Sequence, residues 1–410
     1  MTLSSKPRLL RVHDLGALPE VVLARDLRRE LKRGHPWLFR DALRLATSNV
    51  DTGNIVRIRA RDGGKIGPVI AKGYWDPEGP LAIRVLTTDP RDVIDDAWVR
   101  ARLTRAISLR AALFADARTT GYRLVNGEGD GLPGLVVDRY GDTAVVKPDG
   151  PVAEAFWDVA GIARWLVDTL GLSHVYARYR SRGGARGEPL IGPARAAPVP
   201  FREHGLAFLS DIVHGQKTGF FIDQRENRQL VGALARGRRV LNVFGYTGGF
   251  SVYAGAGGAT DVTTIDIAPA AIEAANAQWA LNELPPERHH GVTADAFAFL
   301  ESAGARWDLV ILDPPAFAPA RDKAPQAIAA YRKMVALGTR VASPDAIVVA
   351  ASCSAHVGAA DFLDAVEAGV ADARRSATLL TSTGQPPDHP APLACPELRY
   401  LKCAFLHIRP

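Results

Sequence analysis

The sequence predicts an α/β protein whose last segment, from about residue 200 to 410, is a parallel sheet with helices on both faces. Short apolar runs recur there, and stretches of helical pattern such as APAAIEAANAQWALN separate them. Buried strands that alternate with helices are typical of a parallel sheet. The runs are RRVLNVF, DVTTIDI, WDLVILD and AIVVAAS.

The whole chain has 410 residues, a length that suggests two or three domains of roughly 150 residues each. Residues 19–95 contain short strands punctuated by Gly and Pro, and Asp62-Gly63-Gly64 supplies a hairpin turn. This pattern favours a small β-rich domain. Residues 96–195 mix strands and helices, which predicts a central α+β domain.

Composition excludes several classes of protein. No apolar run approaches the ~20 residues that cross a bilayer, and the N-terminus lacks the apolar stretch of a secretory signal. We therefore predict a cytoplasmic protein with no membrane contact. Three cysteines without a CxxC pair are too few for a disulfide framework and predict no metal site.

A net charge of +6 is a mild indication of a polyanionic partner. Basic residues recur at helical spacing near the N-terminus and would share one helix face, whereas Leu23, Leu27 and Leu31 would lie on another. A second cluster contains Arg178, Arg180, Arg182 and Arg186. Either cluster could equally be a solvated surface. The candidate RNA-binding residues of the first cluster are Arg25, Arg28, Arg29, Lys32 and Arg33.

Glycines follow the first strand of the parallel sheet. The loop candidates for a bound cofactor are Phe244, Gly245, Tyr246, Thr247 and Gly248. Glycine lets the backbone approach a ligand and permits positive φ. The spacing matches neither GxGxxG nor a GK[ST] phosphate loop, so a purely structural strand-to-helix turn is the alternative.

Acidic residues end the next strands. Asp266 stands where a carboxylate binds ribose hydroxyls in doubly wound folds, with Ile267 beside it. Asp295, followed by Ala296, is placed to bind an adenine amino group. Asp313 opens an Asp-Pro-Pro motif at a carboxyl strand end, which a methyltransferase uses and a dehydrogenase does not need; a rigid turn is the alternative.

Cys353 follows the fifth strand, on the same rim as Asp313. Carbon 5 of cytosine is too weak a nucleophile to take a methyl group unaided, and a thiolate that adds to carbon 6 activates it. A thiol has a pKa near ~8.5, so such a site must favour the thiolate. The alternative is a buried cysteine that only packs.

Long strings along nearly the whole chain resemble the RlmI-like family of ribosomal RNA large-subunit methyltransferases. They occur in the same order as in that family, and HGQKTGFFIDQR and FGYTGGFS are long and specific, whereas DPP and SCS are short. The strings are HPWLF, YRLVNGEGDGLPGLVVDRYG, HGQKTGFFIDQRENR, VLNVFGYTGGFSV, DPPAF, SCS and DHP…PELRYLK.

The resemblance implies an N-terminal PUA RNA-binding domain, a central α+β domain and a C-terminal class I (Rossmann-like) methyltransferase domain. It implies S-adenosylmethionine as cofactor, large-subunit ribosomal RNA as partner, and 5-methylcytidine as product. By the same resemblance Asp313 meets the target base, Cys353 is the nucleophile, and the Lys217–Arg225 segment covers the cofactor. Ala316 departs from the usual lysine of the family, which puts its RNA contacts in doubt.

Two other functions stay open on the sequence. An amino-group methyltransferase could use the Asp-Pro-Pro motif without a nucleophilic cysteine. A non-catalytic RNA-binding protein would need a defective cofactor site, whereas the cofactor motifs are intact. The sequence also leaves open the modified nucleotide and whether the chain forms a homodimer.

Overall fold

The computed structural model describes residues 7–14, 16, 18–45, 50–62, 65–179, 187–195, 197–304, 306–318 and 320–409. The chain divides into two compact units, each built from separate stretches of sequence. Unit 1 consists of Met1–Arg202, Leu209–Ile222 and Pro387–Pro396. Unit 2 consists of Glu203–Phe208, Asp223–Pro386 and Glu397–Pro410.

Unit 1 begins with a six-stranded sheet, as the β-rich pattern predicts. Its strand order is β2-β6-β5-β4-β1-β3, and alternating side chains such as Val56 and Ile58 are buried in its core. The predicted hairpin joins β4 to β5, although its two glycines lie outside the described residues. The elements are β1 (Glu20–Leu23), α1 (Arg28–Lys32), β2 (Trp37–Phe39), β3 (Leu43–Leu45), β4 (Ile55–Asp62), β5 (Lys65–Trp75) and β6 (Leu81–Thr87).

The predicted basic helix is much shorter than its charge pattern suggests. Residues 20–23 form strand β1, which pairs with β3 and β4, and the helix α1 begins only at Arg28. Arg25 therefore lies outside the helix, and Leu23 packs in the sheet rather than on a helix face. Paired β-branched residues such as Val21 and Val22 fit a pleated sheet, and this tertiary pairing overrides the helical spacing of the charges.

The second part of unit 1 is a five-stranded sheet in the order β11-β10-β9-β8-β7. Tyr74 of β5 stacks on Phe156 beneath this sheet, with ring centroids 4.5 Å apart, so the two sheets of unit 1 share buried side chains. The elements are α2 (Asp96–Leu113), β7 (Gly121–Asn126), β8 (Leu135–Tyr140), β9 (Thr143–Pro148), α3 (Pro151–Phe156), α4 (Val159–Leu170), β10 (His174–Arg178) and β11 (Gly187–Ile191). Of the second basic cluster, Arg180, Arg182 and Arg186 lie outside the described residues.

Unit 1 is completed by a stretch from near the end of the chain. The guanidinium of Arg110, which is fully buried, donates to the Asp130 carboxylate at 2.6 and 2.8 Å and to the carbonyl of Asp388 at 2.8 Å. The Asp388 carboxylate accepts from the backbone N–H of Arg123. Residues 387–396 thus satisfy buried polar groups of the central sheet.

Unit 2 contains the predicted parallel sheet, with seven strands in the order β16-β15-β14-β17-β18-β20-β19. The first five are parallel to one another, and β20 runs antiparallel to both β18 and β19. A hairpin of β12 (Val199–Glu203) and β13 (Leu206–Ser210) precedes it in the chain.

The strands of unit 2 are β14 (Arg239–Val243), β15 (Asp261–Asp266), β16 (His289–Thr293), β17 (Trp307–Leu312), β18 (Ala342–Ser352), β19 (Ala377–Thr383) and β20 (Lys402–Ile408). Its helices are α5 (Arg225–Leu234), α6 (Gly249–Ala256), α7 (Pro269–Leu281), α8 (Ala296–Ser302), α9 (Ala324–Val341) and α10 (Ala359–Asp372). Apolar clusters bury the sheet side chains, which explains the unbroken apolar runs of its strands.

The predicted ranges 19–95, 96–195 and 200–410 stay a prediction of domain organisation. Leu209–Ile222 and Pro387–Pro396, which that prediction assigns to the last domain, belong to unit 1. Among the described helices, none is long and apolar enough to cross a membrane.

Replacing Arg110 by methionine should destabilise unit 1 strongly. The change removes the cation from a buried ion pair and leaves the Asp130 carboxylate unpaired, which costs about 3–5 kcal/mol. Urea unfolding of the full-length protein would measure the loss. The matched control is Arg332→Met, which breaks an exposed ion pair with Asp372 and should cost much less, because water screens that pair. Equal losses of unfolding free energy in the two variants would contradict a stabilising role of the buried Arg110–Asp130 ion pair.

Candidate active site at the carboxyl edge of the unit 2 sheet

The loop after β14 is shaped by its glycines and by two residues in an unusual backbone conformation. Phe244 and Tyr246 have φ of 59° and 44°, and Gly248 has φ of 76° just before α6 begins. A Cβ on Gly248 would lie 2.8 Å from the Cβ of Ala275, and one on Gly245 would lie 2.4 Å from the Cγ2 of Thr264. Close packing against β15 and α7 therefore requires glycine at both positions.

Asp266, the last residue of β15, ties this loop to the helix that follows. One carboxylate oxygen accepts from the backbone N–H of Tyr246 and the other from that of Ala268, both at 2.9 Å. A carboxylate oxygen can accept two hydrogen bonds, so these contacts leave acceptor capacity for a ligand hydroxyl. The next residue, Ile267, is 71 % exposed, which is unusual for an isoleucine.

Asp295 lies two residues beyond the end of β16. Its side chain caps α8 by accepting from the backbone N–H of Ala298 at 2.9 Å, and it is exposed. Ala296, in contrast, is buried in the apolar core of unit 2. The structure therefore places Asp266, Ile267 and Asp295 at the ends of adjacent strands, with Ala296 behind them.

Asp313 follows β17 directly and is half-buried. The side-chain amide of Gln224 donates to its Oδ1 at 2.9 Å. Gln224 is itself held, because its Oε1 accepts from the Asn227 amide at 2.5 Å, and the Thr383 hydroxyl donates to Asn227. A chain of buried amides thus fixes the orientation of the Asp313 carboxylate.

Cys353 is half-buried and stands one residue after the end of β18. Its neighbours Ser352 and Ser354, which with it form the Ser352–Ser354 segment, are both hydrogen-bonded to the hydroxyl of Tyr331, at 2.9 and 2.8 Å. Burial raises the pKa of Tyr331, and a thiolate at Cys353 would raise it further, so this hydroxyl stays protonated. Tyr331 of α9 therefore anchors the segment that carries the thiol.

Lys402 of β20 contacts the same segment from the other side. Its ammonium donates to the carbonyls of Ser354 at 2.6 Å, Val357 at 2.9 Å and Tyr400 at 2.9 Å, and the residue is 6 % exposed. Burial lowers the pKa of Lys402 to about 8, whereas the nearby Cys353 acts in the opposite direction. At neutral pH the ammonium is therefore mostly charged.

The other two cysteines are fully buried. Burial raises the pKa of Cys403 well above its usual value, and the charge of Asp313 adds to that effect. A thiol that remains protonated is a poor nucleophile, so the structure distinguishes Cys403 from the half-buried Cys353.

Aromatic rings line the same edge of the sheet between the glycine loop and the Ser352–Ser354 segment. Phe244 lies 6.2 Å from Phe297, Phe297 lies 6.5 Å from Phe317, and Phe317 lies 4.9 Å from Tyr331, measured between ring centroids. The first three rings are half-buried, so they offer partly exposed apolar surface beside Asp313.

The candidate RNA-binding residues lie in unit 1. Arg25, Arg29, Lys32 and Arg33 are exposed, and Arg25 approaches Asp41 at 3.9 Å. Arg28 differs from them because its guanidinium is paired with Asp26 at 3.0 Å. Of the predicted segment Lys217–Arg225, residues 217–222 belong to unit 1 and Asp223, Gln224 and Arg225 to unit 2.

Sequence reasoning missed Tyr331 and Lys402 at this edge. It placed Gln224 only within the Lys217–Arg225 segment expected to cover the cofactor, not as a partner of Asp313. Gln224 and Lys402 lie inside strings that support the family resemblance, FIDQR and RYLK, but nothing in the local sequence says what they contact. Tyr331 stands in a helix of ordinary pattern. Their contacts depend on residues distant in sequence.

The residues present fit S-adenosylmethionine. The Asp266 carboxylate can accept hydrogen bonds from its ribose hydroxyls, and the exposed Ile267 can pack against its adenine ring. Asp295 can accept a hydrogen bond from the adenine amino group. The glycine loop allows a ligand to approach the backbone at the edge of the sheet where doubly wound folds bind ligands.

Comparisons with known proteins agree with this architecture. A family model described as S-adenosylmethionine-dependent methyltransferase matches residues 163–399, and a PUA-like domain model matches residues 21–88. A solved structure assigned as a methyltransferase and complexed with SAH superposes with a TM-score of 0.81 at 23% identity, covering 95% of this chain and 100% of that one. A second, from Streptococcus mutans, gives a TM-score of 0.79 at 23% identity with the same coverage.

Curated relatives are similar over nearly the whole length. A protein of Deinococcus radiodurans named ribosomal RNA large subunit methyltransferase is 40% identical, over 99% of this chain and 98% of its own. The ribosomal RNA large subunit methyltransferase I of Photobacterium profundum is 34% identical, over 93% and 97% of the two chains. That of Shewanella denitrificans is 32% identical, over 91% and 95%. The chain therefore belongs to the S-adenosylmethionine-dependent methyltransferase family, together with these relatives.

Proposed function

We propose that this enzyme methylates carbon 5 of a cytidine in large-subunit ribosomal RNA, with Cys353 as the nucleophile. The observation that carries the proposal is the placement of Cys353. It is half-buried, follows β18 directly, and lies at the strand edge that also carries Asp313 and the glycine loop. The relatives named above, which are called ribosomal RNA large subunit methyltransferases, support the substrate class.

The reaction begins when the Cys353 thiolate adds to carbon 6 of the cytosine, which turns carbon 5 into an enamine-like nucleophile. S-adenosylmethionine supplies an electrophilic methyl group on a sulfonium sulfur. Carbon 5 attacks that methyl group, and the electrons of the breaking S–CH3 bond stay on sulfur, so S-adenosylhomocysteine is the leaving group. A base then removes the carbon 5 proton, and the electrons of that C–H bond expel the thiolate from carbon 6. Cys353 is regenerated as a thiolate at the end of the reaction.

The chain's own residues position these groups. Gln224 holds one oxygen of Asp313, which presents the carboxylate in a fixed orientation toward a hydrogen-bonding base. Tyr331 holds the serines on both sides of Cys353, which restricts the thiol to one place. Such fixed geometry lowers the entropy lost on reaching the transition state.

RNA recruitment is assigned to unit 1. The PUA-like match covers residues 21–88, and this range contains the exposed Arg29, Lys32 and Arg33. Within the described residues, no carboxylate forms an ion pair with these three side chains. Unpaired cations on a surface suit contacts with phosphates. A cytoplasmic location and a homodimer stay predictions from the sequence.

The second candidate function is amino-group methylation without covalent catalysis. It is favoured by the Asp-Pro-Pro motif, because Asp313 could accept a hydrogen bond from an exocyclic amine. This function has no need of Cys353, and so the two candidates differ in what loss of the thiol does.

Replacing Asp266 by alanine should weaken cofactor binding. Loss of a hydrogen bond to a charged acceptor costs about 1.5–3 kcal/mol, so the dissociation constant of S-adenosylmethionine should rise roughly tenfold or more. Calorimetry on the full-length protein would measure it. Asp261→Ala, at the opposite end of β15, is the control and should bind normally. Equal affinities for both variants would remove Asp266 from the cofactor site.

Reversing the charge of Arg29, Lys32 and Arg33 should weaken RNA binding and leave cofactor binding intact. Each lost phosphate contact should reduce the steepness of log affinity against log salt by about 0.7, the value for single strands. Filter binding at several salt concentrations would measure both effects. Arg105, Arg164 and Arg236, which are exposed elsewhere, give a control triple of the same charge change. An unchanged salt slope in the first triple would show that these residues are only a solvated surface.

RNA that carries 5-fluorocytidine should trap the enzyme covalently through Cys353. The fluorine cannot leave as a proton does, so the bond to carbon 6 persists, and a denaturing gel should show a protein–RNA band. Cys353→Ala should lose both the band and turnover, whereas Cys403→Ala should keep both because that thiol is buried and protonated. A fully active Cys353→Ala enzyme would exclude the covalent mechanism, and nucleoside mass spectrometry would then identify the methylated amine.

A further inference from the structure

Lys402 is a buried cation that the mechanism above does not use. We propose that it is a positioning residue whose ammonium is the counter-charge of the Cys353 thiolate. The inference rests on the proposed function, because it assigns a role to the group that surrounds the nucleophile of that reaction.

The place of Lys402 is set by strand pairing. β20 runs antiparallel to β18, and in this register Lys402 lies directly opposite Ser352, the residue before Cys353. The Lys402 ammonium donates to the carbonyl of Ser354, the residue after Cys353, at 2.6 Å. The lysine therefore contacts the segment that carries Cys353 from β20, whereas Cys353 itself follows β18.

Three carbonyl oxygens hold the ammonium in this position. Two of them belong to Ser354 and Val357, which follow Cys353 in the chain, and the third belongs to Tyr400. An ammonium has three N–H donors, and all three are used. The lysine consequently cannot swing away toward solvent, and the backbone after Cys353 is fixed to the charge.

The charge of Lys402 is buried. Its side chain is 6 % exposed, yet among the described residues no Asp or Glu lies within ion-pair distance of it. A buried charge without a counter-ion is costly, and proteins rarely contain one without a functional reason. Unit 1 provides a contrast, since its buried Lys72 is paired with Asp14 at 2.6 Å.

A thiolate at Cys353 would supply the missing negative charge. A lysine beside a cysteine stabilises the thiolate and lowers the thiol pKa, which increases the fraction of reactive nucleophile at neutral pH. Tyr331 also interacts with Cys353, and because burial raises the pKa of its hydroxyl, it stays neutral. Cys403, the residue after Lys402 in β20, stays protonated because burial raises its thiol pKa and the charge of Asp313 raises it further.

The test measures the thiol directly, without RNA. Iodoacetamide alkylation of Cys353 is followed by peptide mass spectrometry across a range of pH in the full-length protein, for wild type and Lys402→Met. In wild type the midpoint of the rate profile should lie below ~8.5, the usual value for cysteine. In Lys402→Met it should rise by about one unit, and the rate at pH 7 should fall roughly threefold, because higher intrinsic nucleophilicity partly offsets the lost thiolate.

Tyr331→Phe is the matched control. It removes the hydroxyl that anchors Ser352 and Ser354 but leaves the ammonium in place, so its alkylation midpoint should stay near that of wild type. With RNA, Lys402→Met should lower kcat while the affinity for S-adenosylmethionine is unchanged. If Lys402 had only a structural role, its loss would change kcat and the affinity for S-adenosylmethionine together.

Two results would overturn the proposal. A wild-type midpoint at or above ~8.5 does so even where Lys402→Met fails to fold, and an unshifted midpoint in a folded Lys402→Met protein does so as well. Failure of the covalent mechanism gives a different result. Cys353→Ala would then keep its activity, whereas the effect of Lys402 on the thiol pKa would still be measured.

Discussion

The pairing of β14 with β15 on one side and β17 on the other is the constraint on which the candidate active site depends. Val243 is in register with Ile265 and with Leu312, so the residues that follow these strands emerge at one level. The glycine loop, Asp266 and Asp313 are those residues. β18 extends two residues further, and this places Cys353 beyond the level of Asp313. A shift of register in any of these pairs would separate the groups that the proposed chemistry requires.

Much of unit 2 could be predicted because its strands are buried on both faces. Unbroken apolar runs mark such strands, and acidic residues at their ends mark the ligand-binding edge. The same reasoning was wrong about the N-terminal basic segment. The helical spacing of the arginines there shows only where positive charges recur. The backbone conformation is determined by the pairing of Val21 and Val22 with neighbouring strands.

The residues around Asp313 and Cys353 could not be predicted for a different reason. Gln224, Tyr331 and Lys402 act through contacts with residues far away in the chain, and local pattern carries no information on such contacts. Their positions come from α5, α9 and β20, and only the assembled sheet brings them to one edge. The sequence thus indicates Asp313 and Cys353 as candidate reacting groups, but it does not indicate the residues that hold them.

The interleaving of the two units along the chain affects how the protein is made. A ribosome releases the chain from its N-terminus, and domains generally fold as they emerge. Arg110 and Asn126, which need the backbone carbonyls of Asp388 and Pro390, must wait until residues 387–396 have been synthesised. Until then the central sheet has buried polar groups without these acceptors. The last folding step of the first-made unit therefore comes after most of the second has been translated, and a nascent chain stalled before residue 387 would expose an incomplete sheet to aggregation and proteolysis.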